Sequence, residues 1–221
     1  MSVAVVGAIV TESQLSALYQ GLLVSFKVAG LSLLLGLPLG VAFAVLVASP
    51  KRFVKWPALV IVEIGRGVPA LVLLEFVYFG LPHDGIRLTS LMSAVAAIGF
   101  SVAAYSSENF RAAIRAVPRG QREAAASIGL SRTSAFLTVI FPQAVRIALP
   151  QVMSHAILVF QASALAFTVA LPELLSQSYN IGSETFRYMD ILCVAGAIYA
   201  AVTLPLSRLG TLLERRLTQR L

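Results

Sequence analysis

Residues 28–50 read VAGLSLLLGLPLGVAFAVLVASP, a run of 23 residues without a charged side chain. At a rise of about 1.5 Å per residue, such a run is long enough to cross the hydrocarbon core of a bilayer as a helix. Further uncharged runs of 20, 26 and 17 residues occupy positions 88–107, 147–172 and 191–207. Their lengths predict a helical chain that is embedded in a membrane.

The composition of the whole chain supports the same class. Of its 221 residues, 58% are hydrophobic and 12% are charged, and the mean hydropathy is +0.86. These values exclude disorder, and they argue against a water-soluble enzyme because few polar side chains remain to cover its surface. The single cysteine, Cys193, has no partner for a disulfide or a metal site.

A fifth apolar segment follows the first run and carries Glu63, Arg66 and Glu75 within it. It is long enough to span, so we count it as a span. The prediction is an all-α membrane protein, a single transmembrane domain over 1–221, with helices at about 19–48, 57–81, 89–107, 147–171 and 191–208.

The basic residues lie mainly on one side of this topology. The segments 49–56, 108–146 and 207–221 together hold 13 of the 17 Lys and Arg residues. Because cytoplasmic loops are rich in Lys and Arg, this predicts an outer N-terminus and a cytoplasmic C-terminus. The net charge of +7 then requires no nucleic-acid partner, and the lipid bilayer is the partner that the composition demands.

The cytoplasmic loop 108–146 is too long for a simple helix connector. Pro118 can open a helix and Gly129 can close it in the left-handed conformation. Ser131 can cap a second short helix, predicted to run to Ile140 and to end at Pro142. The loop is therefore predicted to place two short helices on the cytoplasmic face.

The first of these short helices has a surface suited to docking into a partner. Ala124, Ala125 and Ala126 lose little side-chain entropy on binding. The candidate polar anchors beside them are Arg119, Arg122 and Glu123.

The same loop resembles a known signature. Glu123, Ala124 and Ala125 are followed after three residues by Gly129, and then by residues 139–142 in the order V-x-F-P. This resembles the EAA(x)3G(x)9IxLP signature of ABC importer permeases, with Val and Phe in place of the usual Ile and Leu.

Other segments resemble the same family in the expected order. Residues 62–71, VEIGRGVPAL, are similar to the IELFRGTPLL run of permeases for polar amino acids, the branch that includes histidine, glutamine, arginine and opine systems. Further similar motifs occupy residues 78–82, 104–111, 116–121, 141–144, 148–150, 185–187 and 213–217.

The resemblance implies a type I ABC importer permease fold in a bacterial cytoplasmic (inner) membrane. It implies that residues 123–129 form the coupling helix, which docks into a cytoplasmic ABC ATPase dimer. It also implies a second permease copy or a paralogue, an extracytoplasmic solute-binding protein and an amino-acid substrate. The chain has no GxxxxGK[ST] loop, so we expect the partner to use the ATP and this chain to bind no cofactor.

Polar residues of the fourth span are candidates for the translocation pathway, because lipid offers them no partner. These candidates are His155, Gln161, Ser163 and Thr168. Each of these residues could equally well form a structural hydrogen bond to another helix instead of lining the pathway. At 154–155 many members of the family have Asn followed by an acid, and at 161 many have Lys or His, so a less common substrate is one expectation. Phe167, within residues 166–168, resembles the basic amino acid and opine members.

Two intramembrane ion pairs are predicted. Glu63 and Arg66 lie three residues apart on one helical face, a spacing that allows a structural pair. Lys27 and Glu75 lie at similar depths, about 10 Å below the outer face at 1.5 Å per residue, which predicts a second pair between the first two helices.

An ion-gradient-driven secondary transporter or channel is the alternative function. The long structured cytoplasmic loop and the lack of an inverted repeat argue against it. An intramembrane enzyme has no support, because HExxH and GxSxG motifs are missing and the only histidines, His83 and His155, fall on different sides of the bilayer. We therefore expect neither a catalytic nor a metal site.

Overall fold

The computed structural model describes residues 10–218, with side chains described as far as Leu212. This part of the chain is helical, and no strand occurs within it. The helices are α1 (Glu12–Val47), α2 (Arg52–Gly67), α3 (Ala70–Glu75), α4 (Ser90–Ala116), α5 (Arg119–Ser127), α6 (Arg132–Ala135), α7 (Phe141–Ala162), α8 (Leu174–Thr185) and α9 (Tyr188–Thr218).

Within the described residues, four helical stretches are long and apolar enough to cross a membrane: Glu12–Val47, Ser90–Ala116, Arg132–Val169 and Tyr188–Leu212. A fifth crossing exists if the bent pair Arg52–Gly67 and Ala70–Asp84 counts as one span. The expected fold class, an all-helical membrane protein with about five spans, is confirmed.

The first helix begins earlier than residue 19, the predicted start of the first span. Thr11 Oγ1 accepts a hydrogen bond from the Gln14 amide at 3.4 Å, and Gln14 Oε1 accepts one from the Thr11 amide at 3.0 Å. This reciprocal cap satisfies two free amides at the start of α1. The helix therefore begins about two turns before the predicted start of the first span.

The prediction of one continuous helix over 57–81 is wrong. Its two halves, α2 and α3, meet at an angle of 107°. Val68, the residue between them, is extended, with φ −89° and ψ 129°. The reason is Pro69, because a proline disfavours the helical conformation of the residue before it.

The second helix of the cytoplasmic loop does not end at Pro142, as the sequence had suggested. From α6 the chain passes through a wide helical turn, Phe136–Ile140, directly into α7. Pro142 lies just after this wide turn, whose irregular hydrogen bonding accommodates the missing amide hydrogen of proline within a continuous helical stretch. At the other end of the loop, α4 continues nine residues beyond the predicted boundary at 107.

The core is organised around the contact of α1 with α4. Ser32, Gly36 and Gly40 form a row of small buried residues on α1, spaced four apart. A Cβ atom added at Gly36 would lie 2.6 Å from the Gly99 carbonyl oxygen, and one at Gly40 would lie 2.9 Å from the Ala103 carbonyl oxygen. The two backbones therefore approach so closely that only glycine fits at these positions of α1.

Gly36→Ala is expected to lower the apparent melting temperature of the purified protein in detergent. The new methyl group would meet backbone atoms, and overpacking of this kind costs about 1–3 kcal/mol. Gly30→Ala is the matched control, because a Cβ at Gly30 has no heavy atom within 4 Å. Equal melting temperatures for the two variants would contradict the proposed close contact.

Candidate functional site

The motif-bearing helix α5 has well-defined ends. Pro118, with φ −55° and ψ 137°, precedes it in an extended conformation, and Gly129 follows it with φ +77°. The Leu130 amide donates to the Ala125 carbonyl at 3.1 Å, and the Gly129 amide donates to the Ala126 carbonyl at 3.0 Å. Gly129 is therefore the left-handed helix terminator that its position in the sequence predicts.

The three motif residues do not share one environment. Glu123 and Ala124 are exposed, whereas Ala125 is buried, with 3% of its surface accessible. The first two residues can therefore contact a partner, while Ala125 packs against the rest of the chain. Arg119 is exposed at the start of the same helix.

Two polar contacts fix α5 to its neighbours. Arg122 Nη2 donates to the carbonyl of Ile114, near the end of α4, at 2.8 Å. Gln143 Nε2, from α7, donates to Gln121 Oε1 at 3.2 Å. Arg122 thus helps to hold α5 against the end of α4.

A cavity of about 500 Å³ lies under this segment. Its wall is mostly apolar, with Leu130, Phe136 and Ile140 among the lining residues, and Arg122 and Arg132 also line it. Next to it, Val117 and Ile140 belong to a buried cluster that joins the end of α4 to the start of α7. The helix α5 is therefore mounted on two long helices rather than carried on a free loop.

His155 lies half-buried on α7. Its ring centroid is 5.6 Å from that of Tyr105 on α4. The Tyr105 hydroxyl donates to the Arg66 carbonyl at 3.1 Å. That carbonyl lies in the last turn of α2, so the break between α2 and α3 leaves an acceptor that Tyr105 satisfies.

The other pathway candidates do not join this group. Ser163 is fully buried, and its hydroxyl donates to the Phe160 carbonyl at 2.7 Å. Thr168 is exposed and donates to the Leu165 carbonyl at 2.9 Å. Gln161 is exposed at the end of α7. Of the four residues, only His155 combines partial burial with an aromatic contact to another helix.

The two expected ion pairs have different outcomes. Arg66 Nη1 lies 3.2 Å from Glu63 Oε1, although the side chains remain 35% and 58% exposed. Lys27 and Glu75 form no ion pair, and this expectation is wrong for the described residues. Lys27 lies on the exposed face of α1, whereas α3, which carries Glu75, packs on α4 and on residues 163–169.

A further pair, absent from the sequence predictions, lies on α4. Arg111 Nη2 is 2.6 Å from Glu108 Oε2, and both side chains are about three-quarters buried. Because the partners are three residues apart on one helix, the pair itself bridges no second element. It lies in the part of α4 that continues beyond the predicted membrane boundary.

The most connected polar side chain of the described region is Glu173, which the sequence analysis did not single out. It is fully buried and caps the first turn of α8, where its carboxylate accepts from the Leu175 and Ser176 amides at 2.9 and 2.7 Å. Ser25 of α1 and Tyr199 of α9 also donate to it, at 3.3 and 3.1 Å.

Glu173 therefore joins the first helix, the last helix and the short helix α8 at one point. Burial raises the pKa of its carboxyl, and the hydrogen bonds from Leu175 and Ser176 oppose that shift. Its position after Pro172 and before an apolar helical run is a helix-start signal, so the cap was readable from the sequence. Its contacts with α1 and α9 were not.

Comparison with known proteins identifies this architecture. Residues 36–221 match the family model described as "Binding-protein-dependent transport system inner membrane component". The chain belongs to this family. It is a permease subunit of an ABC transporter, as the motifs around α5 predicted.

Individual relatives agree over nearly the whole permease. It is 34% identical over 208 residues to the probable amino-acid ABC transporter permease protein y4tG of Sinorhizobium fredii, covering 94% of this chain and 90% of that one. It is 32% identical to the arginine transport system permease protein ArtQ of Bacillus subtilis, covering 94% and 95%.

A solved structure confirms the permease fold. A crystal structure titled as an amino acid ABC transporter with histidines matches with a TM-score of 0.86 and 33% identity. The match covers 91% of this chain and 94% of that one. The permease is thus a multi-pass membrane protein.

Glu173→Ala is expected to destabilise the permease by about 1–3 kcal/mol, because it leaves buried donors without an acceptor. Glu173→Gln keeps one carbonyl oxygen and is expected to lose less. The apparent melting temperature in detergent measures both effects. Glu184→Gln, an exposed acid on the same helix, is the control. A Glu173→Ala variant as stable as this control would refute the structural role.

Proposed function

We propose that this permease subunit moves a polar amino acid, or a derivative such as an opine, into the cytoplasm. The energy comes from ATP hydrolysed by a separate ABC ATPase dimer, and this chain contributes no ATP site or cofactor. The observation that carries the proposal is α5, a short helix that exposes Glu123 and Ala124 while being fixed to α4 and α7. The names of the relatives support the substrate class.

The anchoring of α5 is what makes coupling physically reasonable. A docked helix transmits motion only when it is rigidly connected to the elements that must move. Arg122 links α5 to the end of α4, and Gln121 links it to Gln143 of α7. A displacement imposed by the ATPase at Glu123 would therefore reach two spanning helices directly.

The orientation follows from the distribution of basic residues, with the N-terminus outside and the C-terminus in the cytoplasm. In this orientation α5 faces the ATPase, while α8 and the segment 172–190 face an extracytoplasmic solute-binding protein. A second copy of the permease, or a paralogue, completes the translocation path. The expected location is the bacterial inner membrane.

For the pathway itself we propose His155 as the principal polar contact. It lies next to Tyr105, whose hydroxyl is held by the broken end of α2. Discontinuous helices offer backbone groups for binding at membrane depth, which supports this position as a substrate contact. Gln161 and Thr168 are exposed and stay secondary candidates, while the buried Ser163 is the weakest of the four.

The coupling proposal is tested by copurification of the tagged permease expressed with its native partners. Glu123→Lys and Gly129→Asp are expected to lose the ATPase-sized partner, since the first reverses an exposed charge and the second strains a left-handed position. Glu184→Lys, a charge reversal on α8, is expected to keep it. Retention by both α5 variants would contradict the docking role.

The pathway proposal is tested by uptake in vesicles loaded with ATP. His155→Ala is expected to reduce the uptake rate roughly tenfold, a loss of about 1.4 kcal/mol that corresponds to one buried polar contact. Copurification of the ATPase should be unchanged. Leu158→Ala, at an exposed position about one turn further along α7, is the control. If both variants transport equally, His155 is a packing residue.

The energy source is tested in the same vesicles. Uptake should follow internal ATP and should persist when an ionophore collapses the ion gradient. Uptake that stops on collapse of the gradient, with ATP still present, would favour the gradient-driven alternative.

A further inference from the structure

The junction between α1 and α2 carries an unusual combination of side chains. Residues 51–56 read KRFVKW, so three cations are interleaved with two large aromatic residues. This segment, here termed the basic–aromatic turn, begins four residues after the end of α1 and forms the first turn of α2. Neither the coupling mechanism nor the pathway uses it.

The cations of the basic–aromatic turn are available for an external partner. Lys51, Arg52 and Lys55 are all exposed. In the part of the chain whose side chains are described, none of them lies within 4.0 Å of a carboxylate. The first turn of α2 contains no acidic residue that could compensate them. The basic–aromatic turn therefore carries three positive charges close together, and no described carboxylate neutralises them.

The aromatic side chains face away from the protein. Phe53 is 76% exposed and Trp56 is 59% exposed. The opposite face of α2, at Ala58, Val62 and Gly65, is buried in the bundle. The exposed rings thus begin an apolar ridge that continues along the outer side of α2.

This ridge indicates where the basic–aromatic turn lies relative to the bilayer. Val60 and Ile64 extend it towards the bend at Pro69, and they are 54% and 48% exposed. An apolar ridge on a spanning helix faces lipid, and aromatic residues at its end are typical of the membrane interface. The cations at the same end then lie at the level of the headgroups.

We propose that the basic–aromatic turn binds anionic phospholipid headgroups of the cytoplasmic leaflet. The leaflet assignment rests on the orientation given under the proposed function. Each Lys or Arg near an anionic surface contributes about 1 kcal/mol of attraction, roughly a fivefold preference. Phe53 and Trp56 hold the turn at the interface, so the cations meet lipid phosphates without leaving the membrane surface.

The proposed contact also has a place in transport. The helix α2 starts at the basic–aromatic turn and ends at the break whose Arg66 carbonyl is bound by Tyr105, beside His155. Lipid binding at one end of α2 therefore fixes the position of the helix whose other end borders the candidate pathway.

The chain contains one tryptophan, Trp56, so its fluorescence reports directly on this turn. The experiment uses the full-length permease in vesicles that mix phosphatidylcholine with phosphatidylglycerol. Bromine, a quencher, is placed on the chains of one lipid or the other at equal mole fractions. Stronger quenching by brominated phosphatidylglycerol measures its enrichment around Trp56.

We expect an enrichment of roughly fivefold or more at low salt, decreasing as salt screens the charges. It should fall to about one in the triple variant Lys51→Gln, Arg52→Gln, Lys55→Gln. The variant Lys51→Arg, Lys55→Arg keeps the charge and should keep the enrichment. The fold of each variant is checked by its helical circular dichroism and its elution volume.

Four results would overturn the proposal. Equal quenching by the two lipids means no preference for the anionic lipid, and no quenching by either means that the turn lies outside the membrane. If the enrichment persists in the well-folded triple variant, the three cations do not cause the preference for anionic lipid. Displacement by inorganic phosphate, with no effect of chloride at the same ionic strength, assigns the site to a free anion.

A separate control distinguishes lipid from protein as the partner. The triple variant should copurify with the ATPase as the wild type does. Loss of that partner with unchanged lipid enrichment would assign the cations to the ATPase instead. Because the quenching experiment requires no ATPase, its outcome is independent of whether the coupling role of α5 is correct.

Discussion

The close approach of α1 and α4 is the contact on which the rest of the bundle depends. Helices in a bilayer gain little from leaving lipid for one another, because lipid chains are as apolar as leucine. Their association must come from close packing and from polar contacts. Gly36 and Gly40 provide the first, because their missing side chains let α1 reach the backbone of α4. Glu173 provides the second, by tying α1 to α8 and α9.

The break at Val68 is the second constraint, and it has two effects. It directs α3 onto α4 and onto residues 163–169, and it leaves the carbonyl of Arg66 to be satisfied by Tyr105. A helix break frees backbone groups that need partners from other elements, and here α4 supplies the donor. The break, Tyr105 and His155 therefore lie next to one another.

Much of this architecture could be predicted from the sequence, because its signals are local. Uncharged runs determine spans, and Pro118 with Gly129 determines the ends of α5. The errors arose where a local rule was missed or met a competing one. Pro69 lies within an apolar run whose length predicts one continuous helix, and Pro142 predicts a helix end although the wide turn before it lets the helix continue.

The site was predicted less completely, for a different reason. Which polar side chains meet depends on how helices rotate against each other, and periodicity does not encode that rotation. Their similar depth predicts that Lys27 and Glu75 pair, but depth does not say which face of its helix each side chain occupies. For the same reason, Glu173 was readable as a helix cap but not as the partner of Ser25 and Tyr199, which lie 148 and 26 residues away in the sequence.

The continuity of the helices that carry α5 has a mechanical consequence. Stretch Arg132–Val169 is helical throughout, and α4 extends as a single helix of 27 residues from the core to the start of α5. A helix resists bending far more than a loop of the same length. Under the proposed coupling role, a displacement of α5 would therefore pass to these two helices largely as rigid-body movement, with little of it lost to bending.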